Sequence, residues 1–133
     1  MPNKKIAGTW EFMGGTSWIT ITLTPASQGT RLELEHVAFI DPLWQKFGPG
    51  AVGVGWDLSF MGLSRHLAEP DQPHPAEAAE GWFASQEAKD LIRTTSSDWA
   101  RADIEGGEVP EDARARAEFT RKAFSGEIPP SEM

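Results

Sequence analysis

A run of alternating side chains near the start of the chain constrains its fold more than any other feature. Between residues 18 and 24, three aliphatic side chains alternate with three threonines: Ile19, Ile21 and Leu23 against Thr20, Thr22 and Thr24. Because successive side chains of a strand point to opposite faces, this pattern is typical of an antiparallel strand with one buried and one solvated face.

The segments on either side repeat this pattern. Residues 8 to 13 place Trp10 and Phe12 on one face, and residues 30 to 39 alternate apolar with charged side chains. Residues 14 to 16, with two glycines, and the segment from residue 25 to residue 29 supply the turns, with Gly29 free to take a positive φ. The sequence therefore predicts a three-stranded antiparallel meander.

The apolar spacing becomes helical after residue 50. One helical stripe is formed by Val52, Trp56, Phe60, Leu63 and Leu67. Glycines within this helix each cost about 1 kcal/mol relative to Ala, so we expect something to pack closely against it, and the meander is the obvious candidate. Residues 40 to 50, which contain two prolines and two glycines, are predicted to form a loop.

Two or three further helices are predicted in the second half. A proline-rich linker spans residues 69 to 75, where Pro75 can open a short helix. Ser85 is the expected N-cap of a longer helix that runs to about residue 105 and stops at two glycines. A last helix is expected from residue 110 to about residue 124. These signals divide the chain into residues 1 to 68 and an acidic helical extension of residues 69 to 133.

Composition excludes several classes of function. The chain has no Cys, which removes disulfides, thiolate metal sites and cysteine nucleophiles. Its net charge is −8, and residues 69 to 133 hold fifteen acidic but only seven basic residues. An acidic surface repels phosphate backbones and anionic membranes, so nucleic acid and membrane partners are not expected. Without an apolar run of signal-peptide or membrane-spanning length, the chain is predicted to be cytoplasmic.

Two segments carry a resemblance to a known family. The strand GTRLELEH (residues 29 to 36) and, after a loop, GWD (residues 55 to 57) opening a long helix resemble the C-terminal half of the heat-shock protein 90 ATPase activator-homologue-like family. That family belongs to the START-like, or SRPBCC, superfamily with the polyketide cyclases, and the resemblance covers residues 8 to 68. It implies an α+β helix-grip fold, in which a curved antiparallel sheet wraps a long helix and leaves a cavity that binds hydrophobic ligands in many members.

The chain departs from this family at its start. A complete member has a strand, two short helices and several further strands before the equivalent of residues 9 to 12, so only a partial helix-grip fold is expected. Three strands leave an open edge that can pair with another chain. The alternatives are a truncated reading frame, a separate chain that carries the other half, or a homodimer that completes the sheet, and the homodimer is favoured if the chain is stable by itself.

Two polar residues are candidates for chemistry. His36 follows Glu33 and Glu35, and a His beside carboxylates could be a general base; the alternative is a partly buried strand histidine. Asp57 follows Trp56 where the family's cavity opens and could contact a ligand; the alternative is a first-turn acid favoured by the helix dipole.

The aromatic residues could line an apolar pocket or fill a core, since both use the same residue types. The residues predicted to bind a ligand are Trp10, Phe12, Trp18, His36, Trp56, Asp57 and Phe60. No catalytic residue, metal ligand or cofactor is assigned. The expected function is a non-catalytic module that binds a small hydrophobic ligand and self-associates. The alternatives are a polyketide-cyclase-like enzyme and a co-chaperone-like regulator of the heat-shock protein 90 ATPase.

Overall fold

The computed structural model describes residues 4–72 and 76–133 and has an α+β architecture, with a three-stranded antiparallel sheet followed by helices. The elements are β1 (Lys5–Phe12), β2 (Gly15–Ala26), β3 (Gly29–Val37), α1 (Pro42–Phe47), α2 (Gly50–Ala68), α3 (Ala76–Phe83), α4 (Gln86–Glu105) and α5 (Pro110–Phe124), and a short 3-10 helix covers Pro130–Glu132. The prediction that Pro75 opens α3 lies outside the described residues.

The chain divides into two compact units, one ending at Ile40 and one beginning at Asp41. The first holds the sheet, and the second holds α1 to α5 and the 3-10 helix. In this division α2 groups with the helices that follow it, because it packs on α4. The predicted domain boundary after residue 68, and the predicted packing of the meander on α2, stay predictions.

The sheet is the predicted meander, with strand order β1-β2-β3 and antiparallel pairing throughout. The first turn is tighter than predicted, since Phe12 pairs with Gly15 and only Met13 and Gly14 lie between them. Both turn residues have positive φ, 49° and 80°, which is the type I′ geometry that matches the twist of a hairpin. Residues 15 and 16, predicted to be part of this turn, belong to β2.

The strand register gathers most of the aliphatic and aromatic residues on one side of the sheet. This side, here called the apolar face, carries Ile6, Trp10, Phe12, Ile19, Ile21, Leu23, Leu32, Leu34 and His36. The opposite face carries the threonines of β2 and the glutamates of β3, for example the pair Thr20 and Glu35. The alternation read from residues 18 to 24 is therefore the alternation of the sheet's two faces.

Helix α1 occupies the segment predicted to be a loop, so that prediction is wrong. The side chain of Asp41 accepts a hydrogen bond from the backbone N–H of Trp44 at 2.9 Å, and Pro42 occupies the first turn. A capping aspartate followed by proline is a helix start signal. Gly48, at φ 62°, ends the helix. The proline that suggested a loop is therefore part of the helix's N-terminus.

The core of the helical unit forms where α2, α4 and α5 meet. Its fully buried members include Val54, Ile92 and Thr120. Gly53 lets α2 approach α4 closely, since a Cβ there would lie 2.1 Å from a ring atom of Trp99. The expected close approach to a glycine of this helix is thus found at Gly53, where the neighbour is α4. The residues of the predicted apolar stripe are more exposed than this core, since Val52 is 45% exposed and Leu67 is 72% exposed.

The last two helices have the predicted ends. Ser85 caps α4 by accepting a hydrogen bond from the N–H of Ala88, and Gly106 and Gly107 follow its last turn, the latter with φ 109°. Helix α5 runs over Pro110–Phe124, as predicted. The hydroxyl of Thr120 on α5 donates to the carbonyl of Phe47 on α1 at 2.9 Å, which ties the first and last helices of this unit together.

Candidate functional site

The apolar face of the sheet exposes several large hydrophobic side chains to water. Ile6 is 71% exposed, Phe12 65% and Trp10 48%. All three lie on β1, in which every residue is exposed. The face therefore offers a wide apolar surface, and the predicted residues Trp10, Phe12 and His36 lie on it together.

His36 is bound to the sheet by a short chain of hydrogen bonds. Its Nε2 lies 2.7 Å from the Ser17 hydroxyl, and that hydroxyl lies 3.1 Å from the carbonyl oxygen of Trp10, to which it donates. A hydroxyl has one proton, so both bonds form at once only when His36 Nε2 carries a proton and donates it to Ser17. In that arrangement Nε2 is not a base toward Ser17, and the imidazole links β3 to β1 through β2.

Partial burial lowers the pKa of His36 below its ordinary value of 6.5, because desolvation disfavours the charged ring. The neutral form is then the resting form near pH 7. Glu33 and Glu35, the carboxylates that suggested a tuned base, lie on the opposite face of the sheet, because successive side chains of a strand point to opposite faces.

Trp18 is the one predicted sheet residue that the structure does not bring to the apolar face. It pairs with Thr9 and Val37 on the opposite side and makes an edge-to-face contact with Phe39, at 5.7 Å between ring centroids. The sheet thus carries aromatic residues on both faces.

Asp57 is held by α4. Its Oδ2 accepts hydrogen bonds from the Trp99 indole N–H at 2.9 Å and from the Thr95 hydroxyl. The alternative role predicted for Asp57, an acid favoured by the dipole in the first helical turn, is wrong, because α2 begins at Gly50 and has no acidic residue in its first turn. The observed contacts make Asp57 a link between two helices.

The other α2 residues of the predicted site, Trp56 and Phe60, are partly exposed, Phe60 at 36%. The predicted set therefore divides between the two units: four of its members are in the sheet unit, and Trp56, Asp57 and Phe60 are in the helical unit. Sequence reasoning missed Ser17, the partner of His36. Its only signal was its place two residues before Ile19, the residue that pairs with His36.

A second polar cluster joins α4, α5 and the turn between them. Arg116 forms ion pairs with Glu108 and with Asp103, the latter at 3.7 Å from Nη1 to Oδ2. Burial raises the pKa of Asp103 and outweighs the nearby Arg116, whereas the Val109 N–H and Arg116 lower the pKa of Glu108. The carboxyl group of Asp103 therefore loses its proton less readily than that of Glu108. Glu108 is the better partner of Arg116.

Residues 4–72 and 76–133 contain no group of three or more His, Cys, Asp or Glu side chains placed to hold a metal ion. Among the helices described, none is long and apolar enough to cross a membrane.

In comparisons with known proteins, no family model, no curated protein and no solved structure matched the chain.

Proposed function

We propose that the chain is a non-catalytic, cytoplasmic START-like module with a partial helix-grip fold. Its sheet is completed by self-association, and its apolar face takes a small hydrophobic ligand. The observation that supports this proposal is the apolar face itself, on which Ile6, Trp10 and Phe12 are each about half exposed or more. Aromatic and aliphatic residues in contact with water are the usual lining of a hydrophobic binding surface.

The edges of the sheet support the self-association part. Within the described residues, β1 and β3 each pair on one side only, with β2. The outer edge of each strand therefore presents backbone N–H and C=O groups that a further strand can satisfy. A second copy of the chain supplies such a strand without any other gene product.

Both polar candidates have structural partners, which favours a binding role over catalysis. His36 is engaged by Ser17, and Asp57 by Trp99 and Thr95. In a polyketide-cyclase-like enzyme, one of these groups would instead meet the substrate. The alternative function, a co-chaperone-like regulator of the heat-shock protein 90 ATPase, rests on the resemblance of residues 8 to 68.

Self-association is tested by measuring the solution mass by light scattering over a range of chain concentrations. We expect the mass to rise from the 14.6 kDa of one chain toward twice that value. Ile6→Asp places a charge on the apolar face and shifts the transition to higher concentration. Thr9→Asp adds the same charge to the same strand on the opposite face and serves as the matched control. A solution mass that equals that of one chain at every concentration contradicts the proposal.

Ligand binding is tested with the neutral dye 1-N-phenylnaphthylamine, whose fluorescence rises in an apolar environment. Trp10→Ala and Phe12→Ala are expected to weaken binding, whereas His36→Ala and Asp57→Asn leave most of it. An enzyme gives the reverse result: His36→Ala or Asp57→Asn removes turnover of a polyketide-like substrate while the fold survives. Equal dye affinity in all four variants contradicts a binding site on the apolar face.

A further inference from the structure

A groove between α4 and α5 has no role in the proposed function. It has a volume of about 180 Å³, well above the roughly 10–15 Å³ that a single water needs. Its lining residues are Arg93, Ser96, Ser97, Ala100, Arg114, Ala117, Glu118 and Arg121. Three of these eight are arginines and one is a glutamate, in a chain whose net charge is −8. The lining residues themselves therefore carry two more positive than negative charges, and Asp90 and Glu127 pair with two of the arginines from outside the lining.

Ser96 lines this groove and has a buried, unpartnered hydroxyl. The residue is only 2% exposed, and its Oγ has no hydrogen-bond partner among the described residues. A serine inside a helix commonly donates to a backbone carbonyl one turn earlier, and Ser96 does not. A buried polar atom without a partner is costly, which makes this hydroxyl a candidate for contact with a ligand.

The arginines of the groove are held in place to different degrees. Arg121 is fixed by Glu118 and Glu127, at 2.9 Å and 2.8 Å, and its side chain is 19% exposed. Arg93 bonds Asp90 at 2.9 Å. Arg114 forms no ion pair within residues 4–72 and 76–133. A guanidinium has five N–H donors in a planar fork. Arg121 uses four of them on its two carboxylates and keeps one for a further oxygen ligand, whereas Arg93 and Arg114 keep more.

Two of the residues that line the groove are small and apolar. Ala100 and Ala117, one from each helix, leave space that longer side chains would fill. An anionic group held by the arginines and Ser96 would therefore leave room for a short organic substituent over the two alanines.

We propose that this groove binds the phosphate group of a small organic phosphate. Arg114 supplies the unpaired positive charge, Arg93 and Arg121 flank it, and Ser96 donates its hydroxyl to a phosphate oxygen. Arginine is the residue best matched to phosphate, because its fork donates two parallel hydrogen bonds.

The test uses phenyl phosphate as the probe and the full chain labelled with ¹⁵N. Phenyl phosphate is titrated at constant ionic strength, with sodium chloride in a parallel titration. We expect saturable shifts of the backbone amide signals of Ser96, Ala100 and Ala117 with phenyl phosphate only. Equal shifts with chloride, or shifts that do not saturate, overturn the proposal.

Three variants locate the contacts. Arg114→Gln removes a charged hydrogen-bond donor and is expected to weaken phenyl phosphate binding about tenfold or more. Ser96→Ala removes one neutral donor and weakens it by about fivefold, while circular dichroism shows the helices intact. The matched control is Arg101→Gln, because Arg101 bonds Asp98 at 3.0 Å in the geometry that joins Arg93 to Asp90 but lies outside the groove. A loss of affinity in Arg101→Gln as large as in Arg114→Gln overturns the proposed site.

Discussion

The imidazole of His36 couples the sheet to pH. Its pKa in the folded chain is lowered from 6.5 by burial, so the folded state binds this proton more weakly than the unfolded state does. The stability from neutral His36 is therefore complete above pH 6.5 and decreases as the pH falls from 6.5 through the lower folded value. We expect the His36 Cε1–H signal to titrate with a midpoint below 6.5 in an NMR pH series.

The control for this prediction is His36→Asn, which removes the titrating group. In that variant the unfolding free energy loses the part of its pH dependence just below 6.5 that comes from His36. A His36 midpoint at or above 6.5 would show that the ring is better solvated, or better paired with a negative charge, than its contacts with Ser17 indicate.

The hydrogen bonds of Asp57 are expected to stabilise the contact between α2 and α4. Asp57→Ala leaves the Trp99 indole N–H and the Thr95 hydroxyl without their acceptor, and we expect it to cost about 2–4 kcal/mol of unfolding free energy. Asp57→Asn costs less, because both bonds end on one oxygen and an amide oxygen can accept both. Chemical denaturation followed by tryptophan fluorescence measures both. Asp98→Ala, which removes an exposed ion pair with Arg101, is the control and stays within about 1 kcal/mol of the parent chain.

At the scale of elements, the close packing of α2 on α4 depends on the absence of a side chain at Gly53. A Cβ at residue 53 would overlap the Trp99 ring, and moving that ring would also break its hydrogen bond to Asp57. Gly53→Ala is therefore expected to destabilise the helical unit by about 1–3 kcal/mol in spite of its better helix propensity.

Gly55, in the same helix, is the matched control. Apart from its two chain neighbours and the surrounding backbone of α2, no atom of the described residues lies within 4 Å of a Cβ built there. Gly55→Ala should therefore raise the unfolding free energy by up to about 1 kcal/mol. Thermal unfolding monitored by circular dichroism compares the two variants, and equal effects of the two substitutions would mean that α2 and α4 are not packed through residue 53.

The elements that sequence predicted best are those with local signals. The alternation of residues 18 to 24, the cap at Ser85 and the stop at Gly106 each involve neighbours within a few positions, and the structure has all three. Helix α1 was missed because Pro42 was read as a helix breaker, although a proline next to Asp41 also starts a helix.

The contacts of the candidate site were harder to predict. Asp57 meets Thr95 and Trp99, 38 and 42 residues away, and no local pattern links positions so distant. The helical stripe through Val52 and Leu67 was read from large apolar side chains. The contact of α2 with α4 instead uses Gly53, whose lack of a side chain gives no signal in a hydrophobic pattern.

At the scale of the whole molecule, burial is distributed unevenly between the two units. The buried core residues, Val54 and Ile92 among them, all belong to the unit that begins at Asp41. None of residues 4 to 40 is buried. A three-stranded sheet needs a covered hydrophobic face for independent stability, so the two units are expected to differ in their ability to fold alone.

This difference can be measured by expressing the two units separately. Residues 41 to 133 should show helical circular dichroism and a cooperative thermal transition that does not depend on concentration. Residues 1 to 40 should show little strand signal at low micromolar concentration and gain it as the concentration rises, because intermolecular pairing covers the apolar face and the strand edges. If the short fragment is instead a stable monomeric sheet, its apolar face does not need a second copy, and self-association loses its physical reason. A helical fragment that melts without cooperativity would contradict the assignment of the core to α2, α4 and α5.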